Sequence, residues 1–322
     1  MKAYVYGADG AAITDVARPA PKGTQVLVRV HACGLNRADL GMTKGHVHGS
    51  AGGAGTVLGM EWAGEVAELG PDAKGVKVGD KIMGSGGAAF AEYTLADHGR
   101  LFRTPSNMNF EDAATLPVAL TTMHNAVVTN GALQPGQSVL IQGASSGVGL
   151  MAMQIAKLKG ARTVIGSSTD AMRRGRLREF GADIAVDSSD PGWVDQVLQA
   201  TNGEGVDLIV DQVSGPVANQ NLKATRVKGR IVNVGRLGGT HADFNFDLHA
   251  ARRINYIGVT FRTRTIEEIR EIFDEVRKDI WPAVESRKLQ LPIDKVFKFD
   301  DIGAAFAHME ANKHLGKIVV TL

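Results

Sequence analysis

The sequence predicts an α/β protein in two parts, a β-rich, barrel-like part and a doubly wound parallel sheet with helices on its faces. Two patterns carry that reading. Residues 1 to about 115 alternate apolar and polar in short runs punctuated by glycine, and from about 120 to 260 apolar strand-like runs alternate with helical ones. A third observation is a glycine-rich turn set between one such run and the helix that follows it.

Composition bounds the rest. With 322 residues, 44% of them hydrophobic and 22% charged, the chain is of ordinary globular type and long enough for two domains. A formal net charge of +2 gives no footprint for nucleic acid or a membrane surface. The opening MKAYVYGADGAA lacks the apolar region of a signal peptide, and no apolar run approaches the roughly 18–20 residues of a membrane span. The single cysteine, Cys33, excludes an intramolecular disulfide and points to a reducing cytoplasm.

Taken in order, QVLVRVHACGL (Gln25–Leu35) alternates as a half-buried strand does, and EWAGEVAELG and VKVGDKIMG (Val76–Gly84) repeat the pattern. SVLIQG (Ser138–Gly143) reads as a buried strand, and GLMAMQIAKLKGA (Gly149–Ala161) as a helix with apolar residues at i, i+3 and i+4. TVIGSS is the next strand and AMRRGRLREFGAD the next helix, stopped by Gly181. DLIVDQV (Asp207–Val213) and GRIVNVG (Gly229–Gly235) are two more buried strands, and RINYIGVTFR (Arg253–Arg262) is a last strand at the sheet edge. A charged helix starts near Thr265. After it come WPAVESRKLQLPI as a connection, a short helix around Ile302–Ala311, and the terminal strand KIVVTL.

The strongest chemical signal is VLIQGASSGVGLMAMQIAKLKGA. Between a strand and a helix, a glycine turn lets the backbone approach a pyrophosphate, which the free N–H groups and positive end of the helix attract. The literal G-x-G-x-x-G is absent, since Ala144-Ser145-Ser146-Gly147-Val148-Gly149 places alanine and serine where its first two glycines would stand. The alternative is a tight turn in which Gly149 packs helix against sheet. GHVHGSAGGAGTVLGMEW (Gly45–Trp62) raises a separate question, because His46 and His48 read either as metal ligands or as solvated loop residues.

Segments spread along nearly the whole chain resemble the medium-chain dehydrogenase/reductase superfamily, in its zinc-free quinone oxidoreductase branch. They are GLNRADL (Gly34–Leu40), VLGMEWAGEV (Val57–Val66), VKVGDKIMG, AFAEYTLAD (Ala89–Asp97), EDAATLPVALTT (Glu111–Thr122), GASSGVG, LREFGAD, GEGVDLIVDQVSG and GKIVV (Gly316–Val320). The resemblance implies a GroES-like catalytic domain, discontinuous in sequence, around a doubly wound Rossmann domain. Residues 1–118 and 261–322 would form the first, and 119–260 the second.

It also implies no metal. Asn36 matches the position of the zinc-dependent relatives' catalytic cysteine, and Met60 that of the histidine in their G-H-E motif; amide and thioether are poor partners for Zn²⁺. The structural zinc lobe needs four cysteines, where this chain has one. His46 and His48 are then loop residues, with Met42, His46 and Met60 assigned to the substrate pocket. Asn36 is expected to hydrogen-bond a substrate carbonyl, and Asp39 either to act directly or to hold that loop.

For the cofactor, an NAD-preferring site places a carboxylate at the tip of the second strand. Here VIGSS ends in Gly166, Ser167 and Ser168, and the two serines are candidate partners of a 2′-phosphate. Arg173 stands where related NADPH-binding members carry Lys or Arg, and a guanidinium suits phosphate oxygens. Asp170 is the contrary feature, and MRRGRLRE also reads as a solvated helix face. The expected cofactor is NADPH, contacted by Ser145, Ser146, Gly147, Val148, Gly149, Ser167, Ser168 and Arg173. By resemblance Thr121, Val234, Gly235, Phe261, Arg262 and Lys317 join them, though Lys317 also reads as an exposed strand residue.

Without a metal, carbonyl polarisation must come from hydrogen bonds. That favours conjugated enones and quinones, which accept hydride more readily than unactivated ketones. The expected protein is a zinc-independent NADPH-dependent reductase of quinones or α,β-unsaturated carbonyl compounds, cytoplasmic and homodimeric, with a small-molecule substrate and neither nucleic acid nor membrane as partner. The alternatives are a reductase of activated ketones and a nucleotide-binding structural protein of the zeta-crystallin type.

Overall fold

In the computed structural model, which describes residues 1–49 and 51–322, the chain divides into two units. One comprises Met1–Thr121 and Phe261–Leu322, the other Thr122–Thr260; the boundaries expected from the sequence are 118/119, three residues earlier, and 260/261.

In the first unit, QVLVRVHACG forms the ten-residue strand Gln25–Gly34. It lies inside a sheet ordered Leu101–Arg103, Lys81–Ser85, Glu61–Leu69, Gln25–Gly34, Lys317–Thr321 and Ile293–Lys298, and Tyr93–Asp97 also pairs with it. Antiparallel register sets Cys33 against Trp62 on one side and against Val320 on the other. The first and last segments of the chain thus meet in one sheet. A smaller sheet joins Gly10–Asp15, Lys2–Gly7 and Thr56–Val57. Trp62, Val28, Phe90, Ile318 and Phe306 belong to the core of this unit.

Three local readings differ. VKVGDKIMG is a strand only from Lys81, because Asp80 closes a turn by accepting the Lys77 N–H at 3.0 Å. The connection WPAVESRKLQLPI begins with a helix, Trp281–Glu285, whose Pro282 sits in the first turn where no N–H is required. It leads into the strand Ile293–Lys298, whose mostly exposed residues leave no apolar pattern to read. The charged helix runs Ile266–Asp279: Thr265 caps it, and Glu268 reaches back to the Thr265 N–H at 2.8 Å. It is fastened to its own unit by Arg270, whose guanidinium holds both oxygens of Asp97 at 2.9 and 2.7 Å.

The second unit is a six-stranded sheet, parallel throughout, ordered Ile184–Val186, Thr163–Ser167, Ser138–Gln142, Val206–Asp211, Thr225–Asn233 and Asn255–Gly258. By sequence that is the order 3-2-1-4-5-6 of a doubly wound fold, and it reverses direction between Ser138–Gln142 and Val206–Asp211. The helix Gly147–Leu158 leaves from the first of these strands. The second predicted helix is shorter than expected: Ala171–Gly175 is α-helical, a 3₁₀ turn over Leu177–Phe180 follows, and Gly181 ends it with φ +98°. Leu140, Ile165, Ile209, Ile231 and Trp193 pack in its core. Among the described residues no helix is long and apolar enough to cross a membrane.

Candidate active site

In the first unit, strand Gln25–Gly34 ends at the helix Arg37–Met42, whose N-cap is Asn36. Asp39, three residues on, accepts the Asn36 backbone N–H at 2.7 Å. This leaves the Asn36 side chain free to face away from its own helix. Its Nδ2 donates to Glu61 Oε1 at 2.9 Å, with a second, long contact of 3.4 Å to Gly34 O. Its Oδ1 accepts from Lys317 Nζ at 3.0 Å. Lys317 also pairs with Glu61 Oε1, and the other Glu61 oxygen accepts the Val118 N–H at 2.9 Å. Glycine at position 34 is required here, since a Cβ would lie 2.7 Å from Glu61 Oε1 and 2.4 Å from Ala114 O.

The exposure of these groups is graded. Glu61 and Asp39 are 0% exposed and Lys317 is 5% exposed, whereas Asn36 is only half-buried. Asn36 is the face that a buried, paired set of charges presents outward. Burial pushes the Asp39 carboxyl up to about 7; the Asn36 N–H and the Lys317 ammonium pull the other way, and the Glu61 charge adds to the rise. Cys33, also buried, donates to Ala89 O at 3.0 Å, and burial raises its thiol well above the usual range, with Asp39 and Glu61 adding to the effect.

Nearby, Met42 is buried, with its thioether against Gly52, where a Cβ would meet Sδ at 3.2 Å. Val47–His48 pairs with Ala51–Gly52 in a small hairpin; Ser50, within the loop expected to build the pocket, lies outside the described residues. His46 is exposed, His48 is half-buried, and Met60 packs half-buried against the core of this unit.

The donors do not suit zinc. Asn36 offers an amide already bonded at both ends, Met60 a thioether, and the Cys33 thiol points to a backbone carbonyl. The ammonium of Lys317 already lies against Asn36 Oδ1 and Glu61 Oε1, where it would repel a second cation. Among the described residues no group of three or more His, Cys, Asp and Glu side chains is arranged to hold a metal ion.

In the second unit, the glycine turn lies where the sheet order reverses. Ser146 caps the helix Gly147–Leu158 by accepting the Gly149 N–H at 3.1 Å, and its Oγ is 2.9 Å from both Gly143 O and Gln212 Oε1. The N–H groups of Gly147 and Val148 have no acceptor among the described residues. They are the open end of a helix dipole at the switch point of a parallel sheet, the arrangement that receives a dinucleotide pyrophosphate. Gly149 is confined to glycine by packing, since a Cβ would lie 2.7 Å from Ala144 Cα. Gly149 thus packs helix against sheet, as one reading of the turn expects, while Gly147 and Val148 present the N–H groups that the other reading requires.

At the tip of the second strand, Ser168 donates to Ser145 Oγ at 3.1 Å. Ser167 is turned inward, donating to Gln142 Oε1 at 2.6 Å and accepting the Gly143 N–H at 3.0 Å, so its hydroxyl braces the turn. Gly166 is closely packed, and a Cβ there would lie 2.9 Å from Met153 Sδ. Asp170 caps the next helix through the Arg173 N–H at 2.8 Å, and its carboxylate is 3.6 Å from Arg173 Nε. Arg174, which the sequence reading did not single out, joins the strand tip to the sheet through Ser168 O at 2.8 Å and Asp187 at 2.9 Å. Val234 and Gly235 both donate to Asp211 O, at 2.8 and 3.2 Å, and so lie beside the end of the fourth strand.

The structure gives three expected contact residues other partners. Thr121 is buried and its hydroxyl turns back to Pro117 O at 2.7 Å. Ser167 braces the turn. Lys317, read as reaching the cofactor or lying exposed, is buried against Glu61 and Asn36. Of the alternatives for Asp39, its complete burial and its bond to the Asn36 N–H support the one that holds the loop. In the first unit Phe261 is half-buried, with the Arg264 guanidinium 5.9 Å from its ring centre, and Arg262 is exposed. The residue missed was Glu61. Its one sequence signal is a carboxylate inside the apolar run VLGMEWAG.

Known proteins share this fold. Residues 22–106 match the family described as alcohol dehydrogenase GroES-like domain, and residues 147–278 that described as zinc-binding dehydrogenase. The chain is 32% identical over 315 residues to a phenolphthiocerol synthesis polyketide synthase type I of Mycobacterium marinum; the match takes in 96% of this chain and 14% of that protein, so the chain spans only a small part of its length. It is 31% identical over 312 residues to quinone oxidoreductase-like protein 2 of Mus musculus, covering 96% of this chain and 88% of the mouse protein. The crystal structure of CurK enoyl reductase superposes with a TM-score of 0.88 at 26% identity, over 99% of both chains.

Proposed function

Because the chain belongs to the quinone oxidoreductase branch of the medium-chain dehydrogenase/reductase superfamily, and is thus an oxidoreductase built to bind a nicotinamide cofactor, we propose that it is an NADPH-dependent, zinc-independent reductase of α,β-unsaturated carbonyl compounds or quinones. The observation that carries this reading is Asn36. It is half-buried and backed by buried charge, and one Nδ2–H has no acceptor closer than Gly34 O at 3.4 Å. That N–H is available to a substrate oxygen.

A bound reduced nicotinamide supplies the hydride, which an enone accepts at its β carbon. Negative charge then develops on the carbonyl oxygen, and the Asn36 N–H that has only the long contact to Gly34 O stabilises it. Asp39 holds Asn36 at the head of its helix, and Glu61 and Lys317 fix the plane of its amide. The α carbon takes its proton from solvent: in the hairpin nearby, Val47, 65% exposed, has no proton to give. The donors about Asn36 and Met60 offer no site for a Lewis acid, which favours acceptors that are already electron-poor. The resemblance to an enoyl reductase structure and to a quinone oxidoreductase-like protein supports the same substrate class. In the second unit, Ser168 and Arg173 are the groups we assign to a 2′-phosphate, and a single buried thiol suits a reducing cytoplasm.

The test is reduction of enones, quinones and ketones with NADPH deuterated at C4. Deuterium at the β carbon of an enone, or turnover of a quinone, is expected, with activity retained in chelator. Asn36→Ala should lower enone turnover roughly 10²–10³-fold, as loss of one oxyanion donor typically does, and leave NADPH affinity nearly unchanged. Activity confined to simple ketones, or lost with removal of a stoichiometric metal, overturns the reading.

A further inference from the structure

We infer that Lys317, held in place by Glu61, acts through the Asn36 amide as a built-in electrostatic polariser of the substrate carbonyl, with the ammonium serving as the resident cation of the site. The inference rests on the reading above, in which Asn36 meets the substrate oxygen.

The argument begins with the direction of the charges. Lys317 Nζ lies 3.0 Å from the amide oxygen of Asn36, and Glu61 Oε1 lies 2.9 Å from its nitrogen. The Glu61 carboxylate, an acceptor at the nitrogen, fixes the amide's plane and keeps the ammonium against its oxygen. A cation at the oxygen favours the charge-separated form of an amide, in which oxygen carries the negative and nitrogen the positive charge, and so raises the donor strength of both Nδ2 hydrogens. One is bound to Glu61, and the other, with only the 3.4 Å contact to Gly34 O, is left with its donor strength raised. Hydrogen bonds polarise one another in this way most effectively where water is absent. Lys317 and Glu61 meet that condition, at 5% and 0% exposed.

A buried ion pair serving stability alone has no need of the amide. Charges in such a place are costly to bury, and an apolar pair of similar volume is often as stable. Here a glycine at position 34 and the Val118 N–H make room for Glu61 and satisfy its second oxygen, while Lys317 shares its protons between Glu61 and Asn36. The only member of the set with appreciable exposure is the amide that the ammonium polarises. Lys317 and Glu61 are therefore positioning residues, acting on the substrate only through Asn36.

Infrared difference spectroscopy provides the test. The probe is 4-phenylbut-3-en-2-one carrying ¹³C at its carbonyl, bound to the full chain with oxidised cofactor so that nothing turns over. In the wild type the carbonyl stretch should fall below its value in water. In Glu61→Gln/Lys317→Met, which removes both charges and so leaves neither buried alone, the stretch should return most of the way, and enone turnover should drop about tenfold or more. Quinones, already electron-poor, should lose less. Lys317→Gln, which keeps a neutral donor at Asn36, provides the same readout if the double variant does not fold. A wild-type stretch in either folded variant, while Asn36→Ala still abolishes the shift, overturns the polariser but leaves the Asn36 reading standing. A shift that survives Asn36→Ala overturns both.

Discussion

Asp39 shows how one residue's surroundings become a pH dependence. An aspartate in an unfolded chain ionises near pH 3.9, whereas burial holds the folded carboxyl at about 7. Between those values the folded chain binds more protons than the unfolded one, so this residue's contribution to stability declines as pH rises from about 4 to about 7 and is level above that. Asp39→Asn removes the titration and keeps an oxygen to accept the Asn36 N–H. Thermal melts should show the variant gaining on the wild type through that window. A difference in melting temperature that does not change with pH would mean that Asp39 titrates at its ordinary value. Asp97 has the opposite sign: burial alone would raise it, but the Arg270 fork, the Thr24 hydroxyl and the Gly99 N–H hold it down at about 2. What it adds to stability is present above pH 4 or so and lost only as pH falls through about 2.

Among the elements, the second strand of the parallel sheet and the short helix after it are where we expect a dinucleotide's ribose to be read. Thr163–Ser167 ends in Gly166, packed close to Met153, and Ser167, and its tip bears no carboxylate. The helix Ala171–Gly175 then brings two arginines to different tasks. Arg174 is committed to Ser168 O and Asp187, and Arg173 keeps a side chain 16% exposed beside Asp170. If Arg173 meets a 2′-phosphate, Arg173→Ala should weaken NADPH binding by about 1.5–3 kcal/mol and leave NADH nearly unaffected, as measured by quenching of protein fluorescence. Equal dissociation constants for the two cofactors in the wild type would sink the assignment. The Asp170 carboxylate, 3.6 Å from Arg173, competes with a phosphate for the guanidinium. Asp170→Asn keeps an oxygen for the cap and should sharpen the preference for NADPH.

For the molecule as a whole, the open question is association. Asn255–Gly258 ends the six-stranded sheet and pairs only with Thr225–Asn233 among the described residues, leaving a row of backbone groups on its outer side. Tyr256, 37% exposed, lies in that strand, and the exposed Phe246 and Val227 lie on elements next to it or packed on its neighbour. Uncovered edges with apolar residues invite pairing, and an edge that meets its own copy about a twofold axis closes the assembly. We predict a homodimer through this strand. Light scattering at micromolar concentration should give about twice the mass of the 34.1 kDa chain, and Tyr256→Lys should shift the protein toward monomer. A monomeric wild type counts against the edge.

The sequence by itself determined the class of fold and most of the elements that build it. Strands such as Ser138–Gln142 and Val206–Asp211, and the helix Gly147–Leu158, are written in local periodicity, and the glycine turn between strand and helix is a local signal too. Asn36, Met60 and Ser146 could be singled out for the same reason, each standing within a short motif. Only the tertiary structure decided what those residues touch. The partners Glu61 and Lys317 are 256 positions apart and meet because the terminal strand Lys317–Thr321 pairs with Gln25–Gly34, an event that no window of sequence contains. The inward turn of Ser167, the burial of Thr121 and the different tasks of Arg173 and Arg174 were hidden likewise. A polar side chain's role is set by the hydrogen-bond partners it finds once buried, and those come from whichever segments the fold brings alongside.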